Sequence, residues 1–305
     1  MSLNCGTERF HMINVYEQVN QNKFKSGLII SLFIVFISLA VYFISRSFGY
    51  GNEYIYFALI ISFFMSGASY FWGDKIVVGL NNAKPVNRQE FFDFYTVTEN
   101  LSIANGIPVP KIYVIDSPAM NAFATGRDPD HALICTTTGL LQKLNRTELE
   151  AVVAHELSHI KNYDIRLMML VSVLVGSLTI LINSITRMSF FGGRSRNKEN
   201  NNPIIAIIGL ILIIFSPIIA KLIQLAISRR REFLADASGV KLTRQPQGLI
   251  SALEKISTDH NKLETASTAT ASLYISNPFK GNKVASLFST HPPIENRIAA
   301  LKEML

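Results

Sequence analysis

Cysteine is nearly missing. The 305-residue chain holds two, Cys5 and Cys135, far apart. That excludes a disulfide framework and a cysteine-based metal cluster, and it fits reducing surroundings. Charge is scarce as well: 17% of residues are Asp, Glu, Lys or Arg against 49% hydrophobic, a balance too apolar for an ordinary soluble protein. The net charge of +7 lacks the interleaved aromatic and basic residues of nucleic-acid binders. It reads instead as attraction to a membrane surface, and no nucleic acid is expected as partner. No internal repeat is present.

The missing charge is concentrated in four runs that contain none: Gly27–Ser45, Tyr54–Gly73, Leu167–Thr186 and Pro203–Ala220. Each approaches the roughly 20 residues a helix needs to cross a bilayer, so about four transmembrane helices are expected. The first is too long for a signal-peptide core and lacks a small-residue cleavage site. Lys23 and Lys25 precede it and predict a cytoplasmic N-terminus. Gly49 and Gly51 in Arg46–Glu53 predict a tight hairpin that returns the chain to Lys75, Lys84 and Arg88. Arg187–Asn202 reads as a flexible linker, although its Arg187, Arg194, Arg196 and Lys198 oppose the positive-inside trend. Pro217 should kink the fourth run. None of the runs holds an ionisable residue, which counts against a small transporter.

From Asp74 the composition becomes that of a soluble domain. Gln89–Ala104 has helical apolar spacing, Lys111–Asp116 is a β-branched strand, and Asn121–Thr125 with Ala132–Thr137 flank a turn as in a β-hairpin. Further on, Gln247–Ser257 and Pro293–Leu305 read as amphipathic helices, and Lys262–Ser272 as weakly structured. The fold class expected is α+β, mainly α, with a small sheet. The expected divisions are a tail (1–26), a membrane hairpin (27–73), a first domain segment (74–166), a second hairpin (167–228) and a second domain segment (229–305).

The chemistry sits in Glu148–Lys161, ELEAVVAHELSHIK. His155 and His159 are one helical turn apart, so both imidazoles can reach one metal ion, and Glu156 can reach a water on that ion without being a ligand. Such a layout belongs to a zinc hydrolase with a carboxylate general base. Thr147 with Glu150 reads as the capping box that starts the helix, and Leu149, Val152, Val153, Leu157 and Ile160 form its apolar stripe. A catalytic zinc normally has three protein ligands. Glu232 and Asp236, four apart in RREFLAD, offer a third ligand and a carboxylate to orient a ligand histidine. Spacing alone leaves open a solvated acidic pair beside Arg229, Arg230 and Arg231. His11, His131 and His260 lack metal-spaced partners and read as surface residues.

Four segments in order, NAFATG (Asn121–Gly126), AHELSHIKNYD (Ala154–Asp164), SRRREFLADASG (Ser228–Gly239) and STHPPIENRIAAL (Ser289–Leu301), resemble the HtpX-like membrane zinc metalloproteases, relatives of the CAAX prenyl endopeptidases. With the four apolar runs, the likeness covers nearly the whole chain. It implies a zincin-like catalytic domain with one Zn2+ per chain held by His155, His159 and Glu232. It also implies cleavage of membrane or misfolded proteins, in quality control, at the cytoplasmic face of a prokaryotic plasma (inner) membrane. His291 and Arg297 are candidates for transition-state stabilisation: the resemblance supplies the pair, and Pro292–Pro293 fix the helix entry that would aim both side chains. Ala132–Thr137 could offer an open edge for an extended peptide, with Asn121, Ala132, Leu133 and Ile134 touching substrate. The competing expectation is a non-enzymatic zinc-dependent adaptor, which would not need Glu156.

Overall fold

In the computed structural model, residues 15–47, 53–191, 229–267, 270–278 and 292–305 are described. Outside them fall most of the tail with His11, the hairpin turn with Gly49 and Gly51, most of the 187–202 linker, the fourth run with Pro217, and His291.

Two long helices open the chain, α1 (Val15–Ser47) and α2 (Glu53–Leu80). Helix α1 begins inside the expected tail, so 15–26 are helical. The pieces that cross a membrane by length and composition are Val19–Leu39 and Ile55–Leu80. Their outer faces are strongly apolar: Phe57, Phe63 and Phe64 are 61%, 69% and 71% exposed, which water would penalise and hydrocarbon would not. Both helices pack against α6 (Asp164–Phe191), which carries the third run and whose residues 167–175 are buried. Four crossings are not established, because the fourth run lies outside the described residues. Neither expected border at 73/74 nor that at 166/167 interrupts the backbone, since α2 and α6 run through them.

A four-stranded sheet follows, built from β1 (Lys84–Pro85), β2 (Lys111–Ile115), β3 (Ala122–Gly126) and β4 (Ala132–Thr137) in the order β1-β2-β4-β3. The hairpin pairs antiparallel in register Ala122↔Thr136 and Ala124↔Ile134. Strand β4 also pairs parallel with β2, Lys111↔Leu133 to Ile115↔Thr137. Both flanks of β4 are therefore occupied. This corrects the expected open edge at Ala132, Leu133 and Ile134; the edge strands are β1 and β3. Alternation sends Ile112, Val114, Ala122, Ala124 and Ile134 to one core, and Phe123, Leu133 and Cys135 to another against α2 and α6. Burial on both faces explains the unbroken apolar run ALIC in β4.

The first core is covered by α3 (Phe92–Asn105), α5 (Arg146–Lys161) and α8 (Pro246–Thr258), each close to the length its apolar spacing predicts. A short α4 (Thr138–Lys143) links β4 to α5. Leu149, Val152, Val153, Leu157 and Ile160 are at most 4% exposed, so the stripe of α5 is core, each side chain contributing roughly 1.5–3 kcal/mol. The helix starts two residues earlier than Thr147 predicts. Asn145 caps it, with its Oδ1 accepting from Glu148 N at 3.0 Å and Glu148 Oε2 accepting from Asn145 N at 2.8 Å. Asparagine is the stronger cap and already has its glutamate three residues on, so it wins over Thr147. The chain ends with α7 (Arg229–Thr243) before α8, and α9 (Ile294–Lys302) after it. Of residues 262–272, the described ones include turns at 264–265 and 270 and the start of a short 3-10 helix at Ala271–Leu273.

Candidate metal centre

Helix α5 presents both histidines on one face, completely or almost completely buried. Their rings stand at 90° with Nε2 atoms 3.2 Å apart. Helix α7 packs on α5 closely enough that a Cβ on Gly239 would sit 3.1 Å from His155 N. That contact brings the first turn of α7 over the imidazoles. Glu232 Oε2 lies 3.7 Å from His155 Nε2, and Oε1 lies 3.6 Å from His159 Nε2. One donor atom from each of the three residues falls within 4.8 Å of the other two.

The surroundings aim these donors. Asp236, one turn after Glu232, faces His155 Nδ1 at 2.9 Å, and Asp164 Oδ2 faces His159 Nδ1 at 3.0 Å. With each Nδ1 donating to a carboxylate, both Nε2 lone pairs point to one place, the arrangement that fixes metal-ligand histidines. Arg297, entirely buried on α9, donates to Asp236 twice, Nε to Oδ2 at 2.8 Å and Nη2 to Oδ1 at 2.6 Å. Its Nη1 lies 3.6 Å from Glu232 Oε2 and donates to Ile275 O at 3.4 Å.

Asp164 is the residue the sequence reading passes over. It is not at helical spacing from His159, because α5 ends at Lys161 with Asn162 as its cap, and Tyr163 turns through φ +60 before α6 begins. A bulky residue in the left-handed region is costly, and here the turn swings the first carboxylate of α6 back to the histidine. The presence of KNYD inside the matched AHELSHIKNYD was the available signal.

Burial and charge set the titration. Burial, helped by the Arg297 charge, takes His155 down to about 4 against the pull of Asp236, so it is neutral at pH 7. For His159 burial also lowers the value, but the Asp164 hydrogen bond and the charges of Glu232, Asp164 and Glu156 outweigh it and raise it to about 9. Metal uptake at neutral pH is thus coupled to release of the His159 proton. Burial raises Glu156 to about 7, with Glu232 adding to the effect and His159, Arg297 and the Ala124 N–H opposing it. Asp236 falls to about 2, because Arg297 and His155 overcome its burial.

These residues fit a divalent cation. Among the described residues the cluster holds four buried carboxylates, Glu156, Asp164, Glu232 and Asp236, against two buried guanidiniums, Arg231 and Arg297. Once His159 has given up its proton and Glu156 is ionised, two neutral imidazoles leave an excess of two negative charges in a dry site, which a divalent ion cancels. Two nitrogens bound tetrahedrally at about 2.0–2.1 Å stand about 3.3 Å apart, close to the separation seen.

The remaining candidates are placed as follows. Asn121 does not face the histidines; its Nδ2 donates to Ser276 O at 3.0 Å and its Oδ1 accepts from Ser276 N at 3.3 Å, clamping that segment to the sheet. Ile275 N donates to Ala122 O alongside, so part of the β3 edge is already taken. His131 and His260 are exposed.

A buried pair of histidines and a carboxylate with a glutamate beside them defines the class, a metal-dependent hydrolase. The model of Peptidase family M48 matches residues 89–305. The chain belongs to that family and is a metalloprotease, which retires the adaptor and transporter expectations. It is 45% identical over 289 residues to a "Protease HtpX homolog" of Dictyoglomus thermophilum, covering 95% of this chain and 94% of that one. A "Protease HtpX homolog" of Caldanaerobacter subterraneus is 44% identical over 294 residues (95% and 98% covered), and one of Streptococcus uberis 41% over 299 residues (95% and 100%). A crystal structure of S. mikatae Ste24p aligns with a TM-score of 0.49 at 23% identity, over 93% of this chain and 66% of that one; the likeness is too loose to bear on residue roles.

Proposed function

We propose that the chain is a membrane-embedded zinc endopeptidase that hydrolyses peptide bonds of membrane or misfolded proteins, with His155, His159 and Glu232 as ligands. The observation that carries this reading is the convergence of those three residues beside buried Glu156. Zinc held by these three residues would lower the pKa of a bound water to about 7 and would polarise the scissile carbonyl.

Glu156 is the general base. Burial raises the affinity of this carboxylate for a proton, which suits it to take one from the attacking water and pass it to the leaving amine. The Ala124 N–H that bonds it ties its position to β3. Asp236 and Asp164 hold the two imidazoles, and Arg297 in turn holds Asp236. Nη1 of Arg297 is not bonded to Asp236 and makes only a long bond to Ile275 O at 3.4 Å, so it is the nitrogen that could meet an oxyanion, together with His291 from outside the described residues. An extended peptide would add at the β3 edge, where main-chain bonds hold it with little regard to sequence. The ligands come from α5 and α7, so the chain between them must leave and return on one side. With the lysines of α1, that favours a cytoplasmic site in a prokaryotic plasma membrane.

The test is cleavage of casein and of a model membrane protein by purified full-length protein, before and after chelation and again after zinc is restored. Cleavage indifferent to the chelator would overturn the reading.

A further inference from the structure

A cavity of about 280 Å³ that no metal-centre residue lines is formed by Tyr70, Phe71, Trp72, Asp74, Lys75, Lys111, Arg127 and His131. Three elements meet there: the end of the apolar stretch of α2, the first residue of β2, and the turn between β3 and β4. Its two walls differ. Phe71 and Trp72 are 56% and 55% exposed and continue the outward apolar face of α2 that includes Phe57, Phe63 and Phe64. Immediately after them the charge-free run ends at Asp74 and Lys75, and the apolar residues beyond, Ile76, Val77 and Val78, pack into the protein core. An aromatic cluster followed by charge is where a helix passes from hydrocarbon to headgroups.

The opposite wall is cationic. Among the described residues neither Lys75 nor Lys111 has a carboxylate within ion-pair distance, and both are exposed. Arg127 stacks on Phe71 at 5.5 Å and lies 3.4 Å from Asp128, which also takes His131 at 2.6 Å. Just behind, Arg166 stacks on Tyr70 at 5.6 Å and on Tyr163 at 5.0 Å, and Lys23 covers Tyr163 at 4.7 Å. Asp74 is the one acidic side chain in the lining. Asp128 partly offsets Arg127, but Lys75 and Lys111 have no such partner among the described residues and Arg166 and Lys23 stand on rings, so the cavity holds a positive excess at the depth of a phosphate layer.

We infer that this cavity binds the phosphate of an anionic phospholipid headgroup, with Lys75, Lys111 and Arg127 on the phosphate and the acyl chains lying along Phe71 and Trp72. A free phosphate offers the same anion but has no use for the aromatic wall, which is why the lipid is the better occupant. The site rests on α2 crossing the membrane and does not depend on the peptidase chemistry.

The sequence contains a single tryptophan, Trp72, so intrinsic emission reports the cavity directly. Full-length protein in a maltoside detergent is titrated with monomeric dihexanoyl phosphatidylglycerol, with the matching phosphatidylcholine, and with inorganic phosphate. The expected result is a saturable change in Trp72 emission at phosphatidylglycerol concentrations at least about tenfold below those needed for the other two. In the double variant Lys75→Gln, Lys111→Gln the half-saturation point should rise by roughly twentyfold, while the thermal melt, which two exposed lysines do not govern, stays in place. Equal responses to phosphatidylglycerol and phosphatidylcholine, or an unshifted double variant, overturn the proposal. Inorganic phosphate saturating at the phosphatidylglycerol concentration would make it a free-anion site and overturn the lipid assignment.

Discussion

Asn22 in helix α1 donates its side-chain amide to Asp164 Oδ1 at 2.7 Å, while the other oxygen of that carboxylate holds His159 Nδ1 at 3.0 Å. The metal centre is thereby tied to the first membrane helix through two side chains. Asn22 Nδ2 also donates to Asn162 O at 2.9 Å, and Arg231 Nη1 from α7 reaches Asp164 Oδ1 at 3.3 Å. A carboxylate supported from three helices cannot turn away from the imidazole. Asn22→Leu should therefore weaken zinc binding by about tenfold, and Asp164→Asn by about 10–100-fold, the range for residues that orient metal ligands. Competition with a fluorescent chelator measures both, without reference to proteolysis. Unchanged zinc affinity in Asn22→Leu would show that the link is structural only.

Glu156 and the histidines should separate cleanly. Glu156→Gln keeps shape and leaves the three donor atoms in place, so the protein should retain stoichiometric zinc and lose at least about a hundredfold in rate. His155→Ala removes a donor and should lose zinc and activity together. Full proteolysis by purified Glu156→Gln protein is the result that would remove Glu156 from the mechanism.

Arg297 should behave differently from His291. Truncating Arg297 leaves the Asp236 carboxylate buried without its bidentate partner, a change that costs about 3–5 kcal/mol when a buried pair is broken. Arg297→Ala is therefore expected to lower the melting temperature and loosen zinc as well as slow turnover. Arg297→Lys should rescue little, since an ammonium cannot reproduce two parallel bonds. His291→Ala, if this residue serves only the oxyanion, should reduce kcat by about 10²–10³ with zinc content intact. Loss of zinc from folded His291→Ala protein would move that histidine into the metal site instead.

What the sequence discloses follows periodicity and short-range spacing. The i, i+4 pairs His155/His159 and Glu232/Asp236 were legible because a helix fixes their direction, and the β3–β4 hairpin because alternation and a turn identify it. The position of β4 was not, because its second partner, β2, is not its neighbour in the hairpin, and nothing local encodes a parallel pairing. Asp164 was hidden by the left-handed turn at Tyr163, which breaks helical spacing. Asn22 lies 142 residues from its carboxylate, a distance no pattern spans. Asn121 is a candidate for touching substrate at the strand edge, and no pattern in the sequence announces that its side chain is bonded to Ser276.

Part of the acid limit of stability should trace to the start of α5, beside the share of Asp236, which Arg297 holds lower still. Burial pushes Glu148 up, but a hydrogen bond from Lys255, another from Ser251 and the Asn145 N–H more than offset it, so the folded value lies below the ordinary one. The contacts are short: Lys255 Nζ to Oε2 at 2.7 Å and Ser251 Oγ to Oε1 at 2.6 Å, joining α8 to the cap of α5. A depressed carboxylate favours the folded state fully above its unfolded value, about 4.3, and the contribution disappears as pH falls through the lower folded value. Stability should therefore be flat on this account near neutrality and decline below about pH 4.3. In Glu148→Gln the neutral-pH melting temperature should drop, because Lys255 and the cap lose a charged acceptor, while the fall on acidification becomes shallower. Melts of the full-length protein in detergent between about pH 3 and 7 compare the two slopes. If Glu148→Gln keeps the full acid slope, the titrating group lies elsewhere.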